Sequence, residues 1–357
     1  MVCSDAYRHT GVDRLLPTLV EELNGAGVRD ESIHFFFASG THKPPAPPQM
    51  ERILGAGMYA RFATRTHTHD PYNASLHKYV GSTTRGTPVE INCELLEFDR
   101  IILTGAVVLH YFAGFGGGRK SIVPGLASAR TIAHNHSLNL DPVEPRMKSS
   151  VRIGALDGNP VAEDMLEAAR LVPVHGIINT VLNRQGEIAG VFVGEIDAAH
   201  RAATALARSL FVVPIRERAD LVIASAGDAA NYVQSHKALY NAYQAVKPSG
   251  HIILLAPCPE GLGGEHIVKW LRRGSVNAIV EGLRRQSEIY GQTALSTLQK
   301  TPITTIVTGM SDGEVALLHA ARAATLEGAL EQARATLGEN ATYYVMPSAV
   351  YTVPVIE

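Results

Sequence analysis

Reactive side chains cluster directly after apolar runs of this chain. Asp5 and Arg8 follow MVC; SGTHKPP, with His42 and Lys43, follows FFFA; Asp228, Gln234 and Lys237 follow VIASAG. His110 opens HYFAGFGGGRKSIVPG (110–125) after ILTGAVVL, and TIAHNH, with His134 and His136, lies just downstream. Gly114, Gly116, Gly117 and Gly118 allow positive φ and close approach of backbone to a ligand, with amides to cradle an anion. Arg119 and Lys120 add positive charge at the same place. A P-loop needs lysine directly after its last glycine, where this chain has Arg119, and the third glycine of G-x-G-x-x-G would also fall on Arg119. A different phosphate-bearing ligand is implied.

Each group also has a structural reading. His42 suits a turn before Pro44 and Pro45, Lys120 an exposed position, and Asp5 with Arg8 a helix cap and its salt bridge. Gln234 and Lys237, three apart on a predicted helix, share one face, as solvated pairs do. His134 and His136 fit one metal on a strand and diverge on a helix. Their joint appearance at strand ends is what points to a site, because ligand crevices of α/β sheets form there.

The elements that must position these groups alternate. IHFFFA (33–38) and RIILTGAV (100–107) are strand-like, and Leu15, Leu16, Leu19, Val20 and Leu23 repeat at helical spacing. After a helical stretch around 200–217 come ADLVIASAG (219–227), GHIILLAP (250–257) and TPITTIVTG (301–309), with helices between. The fold class is α/β, in two domains with a crevice between them: 1–210 carrying the glycine-rich loop, and 215–343. The tail, 344–357, is expected to return to the first domain. MVC reads as the end of a strand, so the N-terminal domain is expected to lack its first element.

The chain has 357 residues, 46% hydrophobic and 18% charged, with a formal net charge of −2. This is globular composition with no basic face for nucleic acid or an anionic membrane, so a small molecule is the expected partner. No apolar run approaches the roughly 20 residues of a membrane helix, and a cytoplasmic location is expected. Cys3, Cys93 and Cys258 are odd in number and too scattered for C-x-x-C spacing, which argues for reduced thiols.

HYFAGFGGGRKSIVPG with TIAHNH, preceded by SGTHKPP and GSTTRGTPVEIN (81–92) and followed by LDGNPVAEDM (156–165), QSHKAL (234–239) and EGLGGEH (260–266), resembles the nickel-pincer lactate racemase family over nearly the whole chain. The resemblance implies a racemase or epimerase of a 2-hydroxy acid. Its cofactors would be nickel and pyridinium-3-thioamide-5-thiocarboxylic acid mononucleotide, the nickel-pincer nucleotide, and enzymes of cofactor synthesis would be partners. By position, Lys120 would be the covalent tether, His136 the nickel ligand, and His42 and His110 the acid–base pair. Gly116, Gly117, Gly118 and Arg119 would accept the mononucleotide phosphate, and Asp5, Arg8, Gln234 and Lys237 would surround the substrate. Reversible hydride transfer avoids removing a very weakly acidic α-proton, and two imidazoles near neutrality suit inversion in either direction. Val233 stands where lactate racemases have tyrosine, so bulkier acids are expected to compete with lactate. The rival readings are a truncated homologue that binds the nucleotide without catalysis, and a zinc hydrolase using His134 and His136.

Overall fold

The alternation becomes two α/β units, each built on its own sheet. A computed structural model describes residues 1–357 and divides them into Met1–Asn139 with Ser149–Leu210, and Leu140–Lys148 with Phe211–Glu357. In the first unit the strands are β1 (Val2–Ser4), β2 (Phe35–Ala38), β3 (Thr66–His67), β4 (His77–Ser82), β5 (Pro88–Asn92), β6 (Ile101–Ala106), β7 (Leu109–His110), β8 (Gly114–Phe115), β9 (Val174–Leu182) and β10 (Ile188–Gly194). Its helices are α1 (Leu16–Gly25), α2 (Pro47–Leu54), α3 (Ala56–Phe62), α4 (Ala129–Ser137), α5 (Pro160–Arg170) and α6 (Ala198–Phe211).

The main sheet runs β10-β9-β6-β1-β2-β3, parallel except for the β9/β10 edge. β1 is only three residues long, yet β2 and β6 flank it on either side. Ser4 pairs with Ala38 and Val2 with Leu103, so the loops leaving β1 and β2, and that leaving β6, start from one end of the sheet. The strands are held from below: Phe35 and Phe37 pack with Leu16, Val20, Leu54 and Phe62 in one buried cluster. Local chemistry sets the helix starts. Ser128 accepts from the Thr131 amide at the head of α4, and Asn159 from those of Val161 and Ala162 at the head of α5, where Pro160 occupies the first turn.

The second unit has β11 (Val212–Ile215), β12 (Ala219–Ser225), β13 (Val246–Leu255), β14 (Thr304–Val307), β15 (Ala321–Ala323), β16 (Tyr343–Met346) and β17 (Val353–Ile356). Its helices are α7 (Tyr232–Ala245), α8 (Glu265–Leu271), α9 (Val276–Arg285), α10 (Ile289–Leu298), α11 (Asp312–Leu317) and α12 (Leu326–Leu337). The sheet β15-β14-β13-β12-β16 is wholly parallel, and Val222, Ile252 and Leu254 meet Tyr232 and Trp270 in its core.

Two boundaries differ from the sequence reading. The terminal residues, expected to return to the first domain, stay in the second unit, where β16 joins β12 and β17 pairs in parallel with β11. Residues 140–148 also belong to the second unit: buried Leu140 and partly buried Met147 pack on its core, and Arg284 donates to the carbonyls of Asp141 and Glu144. No helix is long and apolar enough to cross a membrane.

Burial makes the fold sensitive to acid. Loss of hydration, opposed by the Ala127 carbonyl, lowers His69 to about 4; the same loss, reinforced by the Arg119 charge, lowers His200 to about 4; burial and the nearby Lys300 lower His236 to about 3. An unfolded histidine binds its proton near 6.5, so below that pH the unfolded chain takes up protons that the native chain refuses. Stability is complete above pH 6.5 and falls toward pH 4, by up to about 1.4 kcal/mol per pH unit for each of these imidazoles. Urea unfolding should show a lower midpoint at pH 5 than at pH 7; equal midpoints would contradict the burial of these rings.

Candidate active site

His42 sits on the turn that leaves β2, held from two sides. Its Nδ1 lies 2.8 Å from Oδ2 of Asp5, which leaves β1, and the Tyr7 ring meets it edge-on at 5.3 Å. Asp5 is fully buried. Burial alone would raise its carboxyl, but the His42 hydrogen bond, the Arg8 charge and the Tyr7 amide outweigh it and hold the group below the usual carboxylate range. Arg8 Nη1 donates to the same Oδ2. Asp5, expected at the substrate, is therefore turned inward as the partner of His42 and Arg8. A carboxylate on Nδ1 fixes that nitrogen as the N–H, which leaves Nε2 of neutral His42 with a lone pair.

His110 has the opposite bias. It ends β7, and its Nδ1 accepts from the backbone amides of Phe112 and Ala113, each at 3.2 Å. Neutral His110 thus carries its proton on Nε2. The two neutral rings thus present opposite Nε2 atoms, a lone pair on His42 and an N–H on His110.

The glycine loop is ordered largely by the protein itself. Gly117 and Gly118 have φ of 74° and 51°; a Cβ on Gly117 would lie 3.0 Å from the Ala106 carbonyl oxygen, and one on Gly118 would lie 2.8 Å from the His200 ring. The Gly116 amide donates to the Val108 carbonyl and the Gly118 amide to Oδ1 of buried Asn179 on β9, each bond engaging an amide expected to cradle phosphate. Arg119 departs furthest from expectation. It is 3% exposed, its Nε donates to the Ala162 carbonyl and Nη2 to that of Ala113, and Nη1 lies 3.2 Å from His200 Nδ1. Burial lowers its pKa to about 10. Arg119 and the amides of Gly116 and Gly118 therefore brace the loop from inside.

Lys120 follows at the loop's end, half-buried, on the short turn Gly118–Ser121. Gly125 donates to the Lys120 carbonyl and Gly40 to that of Gly125, which ties the His42 turn to the lysine segment. His136, on α4, is buried against the Phe112 ring at 4.8 Å. Burial, then the charge of Lys120, lowers it to about 3, so the ring is a neutral donor close to the lysine. A neutral imidazole beside a half-buried amine fits a metal whose other ligands come from a lysine-tethered group. α4 being a helix, His134 and His136 diverge by roughly 200°, and no group of three or more His, Cys, Asp or Glu side chains is placed to hold a metal. The zinc hydrolase reading loses its ligand set.

Gln234 and Lys237 lie in the second unit on the exposed side of the first turns of α7, whose start Asn231 caps by accepting from the Gln234 amide. Val233 is partly buried against that unit's core. The sequence reading missed Asn179 and His200. A lone asparagine in the apolar run VHGIINTVL was the only available signal for the first; His200 lies in a helical stretch with none.

Residues 1–147 match the lactate racemase N-terminal domain, and residues 215–354 match the lactate racemase C-terminal domain. The chain belongs to the lactate racemase family. Among curated family members, the lactate racemase of Thermoanaerobacterium thermosaccharolyticum is 30% identical over 76% of this chain, and that of Lactiplantibacillus plantarum is 31% identical over 74%. The matches span 62% and 61% of those relatives' lengths. The structure of the T. thermosaccharolyticum lactate racemase apoprotein superposes with a TM-score of 0.90 at 26% identity, covering 99% of this chain and 85% of that one. A Thermotoga maritima protein shares the fold alone, with a TM-score of 0.74 at 16% identity, covering 100% of this chain and 93% of that one.

Proposed function

We propose that this family member inverts the 2-position of a 2-hydroxy acid, as the lactate racemases it resembles are named for doing with lactate. The observation that carries the reading is the opposed proton placement on His42 and His110, at loops leaving the same end of one sheet. Inversion needs one group to take the hydroxyl proton and another to return it on the opposite course. His42 Nε2 takes it while Asp5 stabilises the resulting imidazolium; His110 gives its Nε2 proton on the opposite course, and the proton held by His42 then replaces it, so that each turnover leaves both rings as they began.

Arg8 spends one N–H on Asp5, and its side chain stays 43% exposed, so other N–H donors of the guanidinium remain for the substrate carboxylate. On the family resemblance alone, Gln234 and Lys237, exposed on α7, would bind substrate. Lys120 and His136 would hold the nickel-pincer nucleotide, Lys120 as its covalent anchor and His136 as the protein's ligand to nickel. When bound, that group supplies an acceptor for the α-hydrogen.

Protein produced with the cofactor-synthesis enzymes should carry about one nickel per chain. His136→Ala should lose it and His134→Ala should keep most of it, as metal analysis of the purified variants will show. The reverse pattern, or equal nickel in both, would remove His136 from the site.

A further inference from the structure

Three of the stretches that carry the family resemblance supply no side chain to the chemistry above beyond His136, yet they converge on one carboxylate. Asp164, on α5 within LDGNPVAEDM, is fully buried. From GSTTRGTPVEIN, the Thr83 hydroxyl donates to its Oδ1 at 2.5 Å and the Thr87 hydroxyl to its Oδ2 at 2.8 Å; from TIAHNH, the Asn135 amide donates to Oδ2 at 2.9 Å. All three donors are neutral, so the carboxylate is held by hydrogen bonds alone.

Counting protons fixes the direction of the network. A hydroxyl has one hydrogen, and Thr87 gives its own to Asp164, so at the 3.0 Å contact with His134 Nδ1 its oxygen must accept. Thr83 likewise gives its proton to Asp164 and accepts from the Thr87 amide at 3.1 Å. Asn135 Nδ2 also donates to the Val161 carbonyl on α5. Two consecutive residues of α4, 134 and 135, are thus gripped from α5 and the β4/β5 hairpin, and the next residue is His136. The same end of α5 sets the other wall of that ring: Asn159 donates to the carbonyl of Phe112, whose ring packs on His136.

We infer that Asp164 is the positioning residue for His136, its oxygens fixing the rotation of α4 through Thr87–His134 and Asn135 so that the buried imidazole points one way. This rests on the reading of His136 as the nickel ligand. A mere folding staple would affect the unfolding midpoint but not the geometry of α4 in molecules that stay folded.

Asp164→Leu keeps the branched outline at a larger volume and removes both acceptors; Asp164→Asn keeps one acceptor toward Thr87 and Asn135, and the Thr83 hydroxyl can turn to accept from the new amide. Nickel loss to a chelator should be followed in holoprotein produced with the cofactor-synthesis enzymes, well below each variant's unfolding midpoint. It should be roughly ten- to a hundred-fold faster in Asp164→Leu and near wild type in Asp164→Asn. Amide exchange read by mass spectrometry over residues 129–137 should accelerate in Asp164→Leu, without nickel as well as with it, and stay unchanged in the second unit. If that variant does not fold, Thr87→Val, which breaks the link to both Asp164 and His134, should show the same pattern. A folded variant with wild-type nickel loss and unchanged exchange over 129–137 overturns the inference. Wild-type protein that takes up no nickel instead overturns the reading of His136, and the exchange measurement still decides whether Asp164 holds α4.

Discussion

Replacing either His42 or His110 with alanine is expected to slow interconversion of the two enantiomers by roughly 10²- to 10⁴-fold, and by the same factor in both directions. In kcat/KM the equality is forced, because enantiomers are equally stable and any variant must fall alike in both directions; the site accounts for the size of the fall. His42 takes a proton in the direction in which His110 gives one, and the roles exchange on the way back, so neither ring can be dispensed with in either sense. The opposed bias comes from the backbone amides on His110 Nδ1 and the Asp5 carboxylate on His42 Nδ1, so neither variant should disturb the other ring or the lysine. Cofactor content should stay at the wild-type level. Chiral chromatography of reactions started from each pure enantiomer measures both rates; racemisation undiminished in either variant would show that these rings do not form the acid–base pair.

The largest effect of all is expected at Lys120. Lys120→Ala should abolish the covalent adduct seen by intact mass in protein produced with the cofactor-synthesis enzymes, and with it nickel and all turnover. The lysine stands at the end of a loop that the protein has already ordered. Asn179 holds the Gly118 amide, Arg119 is bonded to two carbonyls from within, and His200 lies 2.8 Å from the Gly116 carbonyl oxygen. Removing the amine therefore removes the anchor without collapsing its surroundings, and the variant's unfolding midpoint should stay near that of the wild-type protein without cofactor. An adduct of unchanged mass and amount on the variant would place the tether elsewhere.

Much of this site was legible in the sequence because strand ends and loop glycines announce themselves. FFFA buries all four residues, so the polar run after it had to be a loop, and the register of Ser4 with Ala38 then brings Asp5 and His42 together. What the sequence concealed was the direction in which polar groups face. Arg119 beside four glycines reads as a phosphate ligand, but local spacing cannot show that α5 and α6 supply a carbonyl and an imidazole that draw the guanidinium inward. The pairing of Asp5 with His42 was hidden for a similar reason, since the two residues are 37 apart in the chain. The segment 140–148 gave no cue at all. Its three apolar residues, Leu140, Val143 and Met147, are too few to mark an element, and only Leu140 and Met147 pack on the second unit's core, which no local pattern shows.

The racemase reading is tested most directly by the fate of the α-hydrogen. Holoprotein offered single-enantiomer 2-hydroxy acids deuterated at the 2-position, including acids bulkier than lactate because of Val233, should invert at least one of them. It should show a primary isotope effect and return most of the deuterium to the product. Retention is expected because His42 and His110 handle only the hydroxyl proton, so the α-hydrogen never resides on a group that exchanges with water. Inversion accompanied by full exchange of that deuterium for solvent hydrogen, or no inversion of any acid by nickel-loaded protein, would contradict it.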